Sequence, residues 1–143
     1  MDTLNVVNDQ GHYGYADDSG AVGPAGLYER DVTNAIAQKV NTKLKRHKDV
    51  TTWLTRQPGV NYNIHSMYQD LDQRCAFAQD HYDNLLPREK NILVSYHVNS
   101  SDKQSAAYIS TYILGTGGPA ERLAGFVQAE MVAAVDFEKF GFE

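Results

Sequence analysis

The sequence has little of what marks a disulfide-stabilised, membrane-spanning or nucleic-acid-binding protein. One cysteine among 143 residues excludes a disulfide within the chain. No apolar run approaches the roughly 20 residues that cross a bilayer, and residues 1–10 (MDTLNVVNDQ) lack the basic start and apolar stretch of a signal peptide. The formal net charge of -5 disfavours nucleic acid as the main partner, because phosphate binding needs a basic face. We therefore expect neither a nucleic-acid nor a membrane partner.

Common nucleotide-binding and nucleophile signatures are also missing. The glycine-rich segment 8–31 has neither the G-x-G-x-x-G spacing of dinucleotide sites nor the Gly-Lys-Ser/Thr of a phosphate loop. Ser95 and Cys75 are the nucleophile candidates, but neither has a base near it in the sequence. Ser95 falls inside a predicted strand rather than on a G-x-S-x-G turn, and Cys75 fits a small buried residue of a helix. The sequence therefore disfavours nucleophilic catalysis.

The composition and patterning are those of one globular domain over residues 1–143, with 42% hydrophobic and 22% charged residues. Apolar and β-branched runs predict strands at residues 4–8, 50–55, 91–97 and 108–114. Apolar residues at helical spacing predict helices at 31–45, 67–82 and 120–134. Strands that alternate with helices predict an α/β fold, a three-layer sandwich with a mostly parallel central sheet flanked by helices.

Each predicted helix has an apolar stripe that we expect to face the core. In the first helix these residues are Val32, Ala35, Ile36, Val40 and Leu44. In the second they are Leu71, Cys75, Ala78 and Tyr82, and in the third Leu123, Phe126, Val127, Met131 and Val135. Apolar residues three and four positions apart lie on one side of a helix, so each stripe is expected to be buried against the sheet.

Three candidate metal ligands fall at the carboxyl edge of the predicted sheet. His12 follows the first strand, His97 ends the third, and Glu29 precedes the first helix. Ligands of open α/β sheets bind beyond the carboxyl ends of the strands, and imidazole with carboxylate is a ligand set of catalytic zinc. The same residues also fit a turn, a polar strand end and an acid at the positive end of a helix. The other histidines, His47, His65 and His81, are expected on the surface.

Six short motifs, in order along most of the chain, resemble those of the zinc-dependent N-acetylmuramoyl-L-alanine amidases of bacterial cell-wall enzymes and phage endolysins. The family patterns are D-P-G-H-G-G, D-x-G-A-x-G, G-x-x-E, a strand ending in T-R, L-x-x-R and S-x-H-x-N. They are matched at residues 9–14, 18–23, 26–29, 54–56, 71–74 and 95–99. Two departures stand in the first motif, where Gln10 replaces the usual proline and Tyr13 a usual glycine.

The resemblance implies that His12, Glu29 and His97 bind Zn²⁺. It also implies hydrolysis of the amide between N-acetylmuramic acid and L-alanine of peptidoglycan. The family's catalytic glutamate lies on a late strand, in a segment like V-L-x-E-x-G-F, which we expect beyond Glu143, so the chain is expected to lack its C-terminal strand segment. Within the chain, Glu138 is the candidate general base, although it directly follows the third helix and its segment, 137–142 (FEKFGF), has an extra residue.

The amidase interpretation predicts a monomeric enzyme that acts on the cell wall, in lysis or remodelling. Because no signal peptide is visible, we expect either a phage endolysin released through a holin or an autolysin exported by another route. Two alternatives stay open. One is a fragment that holds zinc and binds peptidoglycan without hydrolysing it, and the other is a zinc peptidase that cuts within the stem peptide.

Overall fold

The computed structural model describes residues 3–12, 18–57, 62–86, 89–101 and 108–135, and within residues 1–100 it has a parallel three-stranded sheet. The strands are β1 (Thr3–Gln10), β2 (Val50–Leu54) and β3 (Glu89–Tyr96), in the order β2-β1-β3. The helices are α1 (Glu29–Leu44), α2 (Met67–Asp83) and α3 (Pro119–Ala134), with a one-turn 3₁₀ helix at Pro24–Gly26. The predicted α/β class is confirmed, and these six strands and helices lie within two residues of their predicted bounds.

Helices α1 and α2 lie on opposite faces of the sheet. On one face, Asn8 of β1 donates to the Thr52 hydroxyl at 2.8 Å, and that hydroxyl donates to Asn41 of α1 at 2.9 Å. On the other face, Arg74 of α2 donates to Asp9 of β1 at 2.6 Å. Because successive residues of a strand point to opposite faces, Asn8 is linked through Thr52 to α1, whereas Asp9 contacts α2 directly. The sheet is therefore the middle of three layers.

Apart from Ala78, the residues of the predicted apolar stripes are not the buried residues of α1 and α2. Ile36 of α1 is 39% exposed, Leu71 of α2 is 49% exposed, and Cys75 is also exposed. The prediction of these faces is wrong because polar side chains of both helices find hydrogen-bond partners on the sheet and are buried there instead. The buried residues are Glu29, Thr33, Ala37 and Asn41 in α1, and Asp70, Arg74 and Ala78 in α2.

A buried charge network ties α2 to the carboxyl ends of all three strands. Arg74 donates to Asp9 at 2.6 Å and to Asp70 at 2.8 Å, and Arg56 donates to Asp70 at 2.7 Å. Each charge therefore has a partner, as burial of ions requires. The network also reaches the hydroxyls of Thr55 and Ser95, both of which donate to Asp9. It fixes the strand ends next to the candidate metal ligands.

Contacts divide the chain into two compact units, residues 1–100 and 101–143. In the second unit, residues 108–114 form no strand, so the predicted fourth strand is wrong. Gln128 of α3 donates to the Ile109 carbonyl at 2.5 Å and accepts from the Thr111 hydroxyl at 2.8 Å. A side chain, rather than a strand ladder, thus holds this segment. Its β propensity does not suffice, because a strand also needs a neighbouring backbone edge.

The predicted apolar face of α3 is not buried either. No residue of this helix is buried, and Phe126 is 72% exposed. Among the described ranges, no helix is both long enough and apolar enough to cross a membrane.

Candidate metal centre

Three side chains from separate elements converge at the carboxyl edge of the sheet. His12 follows β1, Glu29 is the first residue of α1, and His97 follows β3. The Glu29 carboxylate oxygen Oε1 lies 3.5 Å from His12 Nε2 and 3.2 Å from His97 Nδ1. One donor atom from each residue lies within 4.8 Å of the other two. The structure thus brings together the three residues that the sequence predicts as ligands.

Two glycines beside the three side chains have no room for a side chain of their own. A Cβ on Gly11 would lie 2.6 Å from the His97 ring. A Cβ on Gly20 would lie 2.7 Å from a Glu29 oxygen and 2.8 Å from the His12 ring, and Gly20 has a φ of 63°. The missing side chains and the positive φ explain why these positions carry glycine. His12 itself has a φ of 61°, which histidine adopts more readily than most residues.

The Glu29 carboxylate is held in place and kept ionised. Burial of the carboxyl raises its pKa. Hydrogen bonds from the amides of Ala21 and Val98, together with the nearby His12 and His97, lower the pKa by more than burial raises it. The net effect holds the pKa of Glu29 below its usual 4.5. Val98 donates to Oε1 at 2.7 Å and Ala21 donates to Oε2 at 2.9 Å. A buried, ionised carboxylate with a fixed orientation suits a metal ligand.

These side chains also fit the dimensions of a metal site. Two ligand atoms about 2.1 Å from a tetrahedral ion lie about 3.4 Å apart. The separations of 3.5 Å and 3.2 Å between Glu29 and the two histidines are close to this value, and all three donor atoms lie within 4.8 Å of one another. The His97 side chain is 43% exposed, whereas the Glu29 side chain is 6% exposed. The donor set is therefore buried on one side and open to solvent on the other, as in catalytic zinc sites.

The remaining candidate residues lie elsewhere. His47 and His65 are exposed, as predicted. His81, also predicted on the surface, is partly buried, and its ring centroid lies 4.4 Å from those of Trp53 and Phe77. Its flanking residues look polar in the sequence, and the aromatic contacts are made across elements.

Of the other functional candidates, Ser95 lies within β3, as predicted, and donates to Asp9 at 2.7 Å. Glu138 lies outside the described residues.

One residue at the site was not singled out by its sequence pattern. Asp18 Oδ1 lies 2.8 Å from His12 Nδ1. Asp18 belongs to the matched D-x-G-A-x-G segment, but that pattern gives no indication that its carboxylate turns back toward His12. The one signal in the sequence is that Asp18 is an acidic residue only six positions after the candidate ligand His12.

Comparison with known proteins gives the centre a context. The family model described as N-acetylmuramoyl-L-alanine amidase (Amidase_3) matches residues 6–143. A protein of Buchnera aphidicola subsp. Acyrthosiphon pisum, provisionally named an N-acetylmuramoyl-L-alanine amidase, is 32% identical over 111 residues. That alignment covers 78% of this chain and 40% of the relative, so the chain spans less than half of the relative's length.

Solved structures show the same fold. The catalytic domain of CwlV, an N-acetylmuramoyl-L-alanine amidase from Bacillus (Paenibacillus) polymyxa var. colistinus, is 33% identical with a TM-score of 0.54, covering 73% of this chain and 49% of that chain. An N-acetylmuramoyl-L-alanine amidase from Clostridium difficile 630 is 24% identical with a TM-score of 0.66, covering 93% of this chain and 64% of that chain. With the family model matching nearly the whole sequence, the chain belongs to the N-acetylmuramoyl-L-alanine amidase family.

Proposed function

We propose that this chain hydrolyses the amide between N-acetylmuramic acid and L-alanine in peptidoglycan, as a zinc-dependent, monomeric, single-domain enzyme of the cell wall. The observation that carries the proposal is the convergence of His12, Glu29 and His97 at one open edge of the sheet. Membership in the amidase family supports the substrate class. In this proposal the protein reaches the wall as an endolysin or an autolysin.

His12, Glu29 and His97 would hold the zinc ion. Zinc supplies Lewis-acid polarisation of a carbonyl and activates water near neutral pH. The chain's own contribution is the fixed arrangement of these side chains. The Val98 and Ala21 amides hold the Glu29 carboxylate, so the carboxylate would not need to reorient when zinc binds. The exposed side of His97 leaves an approach for a polymeric substrate.

Within residues 1–143, Glu138 is the proposed general base. A general base must accept a proton from the attacking water and pass it to the leaving amine. The Glu138→Gln variant should therefore lose hydrolysis while keeping the zinc affinity of the wild type. Unchanged hydrolysis by this variant would exclude Glu138 as the base.

Hydrolysis of purified cell walls tests the proposed function directly. We expect the turbidity of a wall suspension to fall with the zinc-loaded protein, to stay constant after chelation, and to fall again when zinc is restored. Mass spectrometry should find stem peptides that begin with a free L-alanine amine, and no new reducing sugars should form. Lysis that does not depend on zinc, or release of reducing sugars, would contradict the proposal.

The same experiment separates the two alternatives. Fragments cleaved between amino acids of the stem peptide would identify a peptidase. Zinc-dependent sedimentation of the protein with cell walls, without any hydrolysis, would identify a binding fragment. Either result would replace the amidase proposal.

A further inference from the structure

Asp18 contacts the ring nitrogen of His12 that is not the one near Glu29. Its Oδ1 lies 2.8 Å from His12 Nδ1, whereas the opposite ring nitrogen, Nε2, lies 3.5 Å from Glu29. The Asp18 side chain is 14% exposed and the His12 side chain is 25% exposed. The two ring nitrogens thus have different partners, an outer carboxylate on Nδ1 and the metal centre on Nε2.

The position of Asp18 is fixed by backbone contacts of residues 18–21 with the start of α1. The Arg30 amide donates to the Ser19 carbonyl at 3.2 Å, and the Glu29 amide donates to the Ala21 carbonyl at 2.8 Å. Asp18 Oδ1 also accepts from the Gly20 amide at 3.2 Å. The same oxygen that contacts His12 is therefore held in place before any metal binds.

We propose that Asp18 is a positioning residue that holds the His12 proton on Nδ1 and leaves Nε2 free and directed at the metal centre. A neutral imidazole carries one N–H donor and one acceptor nitrogen, and an ionised carboxylate can only accept. Contact with Asp18 therefore selects Nδ1 as the donor. Carboxylate partners of this kind orient histidine ligands in many metal sites. The inference rests on the proposed metal-binding function of His12.

A second role for Asp18 has to be separated from this one. An aspartate that accepts from the amide two residues ahead shapes a local turn, and this contact alone could account for its presence. Ser19 offers a matched control, because its hydroxyl donates to the Gly20 carbonyl at 3.0 Å in the same turn, whereas the hydrogen-bond partner of His12 Nδ1 among the described residues is Asp18. Replacing Ser19 perturbs the turn without removing the partner of the imidazole.

Zinc affinity, measured by competition with a chromogenic chelator, gives the first test. We expect Asp18→Ala to weaken zinc binding by roughly 10- to 100-fold, the range found on removing outer partners of metal ligands. Ser19→Ala should bind zinc as the wild type does. Asp18→Asn should lose less zinc affinity than Asp18→Ala. The Gly20 backbone N–H needs an oxygen acceptor, so it keeps the side-chain oxygen of the asparagine in the position that faces His12. Wild-type affinity in Asp18→Ala, or equal losses in Asp18→Ala and Ser19→Ala, would overturn the inference.

The tautomer of His12 in the zinc-free protein gives a second test that does not depend on activity or on metal. Nitrogen-15 NMR of the imidazoles, assigned by comparison with His12→Ala, should show His12 protonated at Nδ1 in the wild type and in Ser19→Ala. Asp18→Ala should shift His12 toward protonation at Nε2. Protonation of wild-type His12 at Nε2 would overturn the inference. A wild type that has the expected tautomer but binds no zinc would instead contradict the proposed function.

Discussion

The guanidinium of Arg74 lies 2.6 Å from the carboxylate of Asp9, three residues before His12. Both side chains are buried, and Asp9 also accepts from the hydroxyl of Ser95, two residues before His97. A single carboxylate thus connects the strand ends that carry both histidines. This contact makes the buried network a support of the candidate metal centre as well as of the fold.

Removing Arg74 should therefore destabilise the protein severely. Breaking a buried ion pair by removing one partner leaves an uncompensated charge and costs about 3–5 kcal/mol. We expect Arg74→Met to lower the free energy of unfolding by this amount, measured by urea denaturation. Arg46→Met, at an exposed arginine after α1, should change it by no more than about 0.5 kcal/mol. Similar stability of the two variants would contradict the role of the network.

A methyl group at Gly20 should damage the metal centre more than the fold. The Cβ of Gly20→Ala would press on both Glu29 and His12, whereas Gly26, with a φ of 74°, has open space around it. Both alanines would have the backbone strain of a left-handed residue, about 1–2 kcal/mol. Calorimetric zinc titration should show a clear loss of affinity in Gly20→Ala alone. If Gly26→Ala lost as much affinity, backbone strain would be the cause rather than crowding of the ligands.

Loss of His97 should remove zinc and hydrolysis together. With one of the three proposed ligands gone, His97→Ala should bind less than one zinc per chain, measured by atomic absorption after dialysis, and its wall-hydrolysis rate should fall in parallel. The exposed His47, which follows α1, is the matched control, and His47→Ala should keep the zinc content and the hydrolysis rate of the wild type. His81 is less suitable as a control, because its ring packs against Trp53. Equal zinc content in wild type and His97→Ala would remove His97 from the proposed site.

Tyr96 should make the protein sensitive to alkaline pH. Burial raises the pKa of Tyr96 from 10.0 to about 12, so the folded protein keeps a proton that the unfolded chain releases near pH 10. The stability that Tyr96 provides is therefore complete below pH 10 and is lost as the pH rises toward about 12. Tyr96→Phe should show a shallower decline of the melting temperature over this interval. A decline as steep as in the wild type would assign the sensitivity to other groups.

The same variant should be less stable than the wild type at neutral pH. The Tyr96 hydroxyl donates to the buried Asn8 side chain at 2.9 Å. Removal of the Tyr96 hydroxyl leaves the Asn8 amide oxygen without this donor, which costs about 1–3 kcal/mol of stability.

The order of the three sheet strands and three helices, and the convergence of the three side chains, could be predicted from the sequence because both depend on local signals. Apolar runs identified the three strands of the sheet, and parallel strands bring their carboxyl ends to one edge. His12 and His97 were therefore predicted at the same place. The distances from Glu29 to the two histidines could not be predicted, because they depend on where the start of α1 lies relative to the ends of β1 and β3.

The buried helix faces could not be predicted from hydropathy. Hydropathy ranks Leu71 as an interior residue and Arg74 as a surface residue, and the structure has the opposite order. The difference arises because Arg74 finds Asp9 and Asp70 as partners, and paired charges are buried where unpaired ones are not. Such pairing joins residues far apart in the sequence, so no local pattern reports it.

The buried charge network also limits how the sequence can change over time. A neutral replacement of Asp70 would leave the guanidiniums of Arg56 and Arg74 without a shared acceptor, whereas a simultaneous exchange of these three residues and Asp9 for apolar residues leaves no buried charge unpaired. Substitutions within one network are coupled rather than additive. Among related chains, these positions should therefore be replaced as a set, and chimaeras that mix two sets should fold poorly even when each parent folds well.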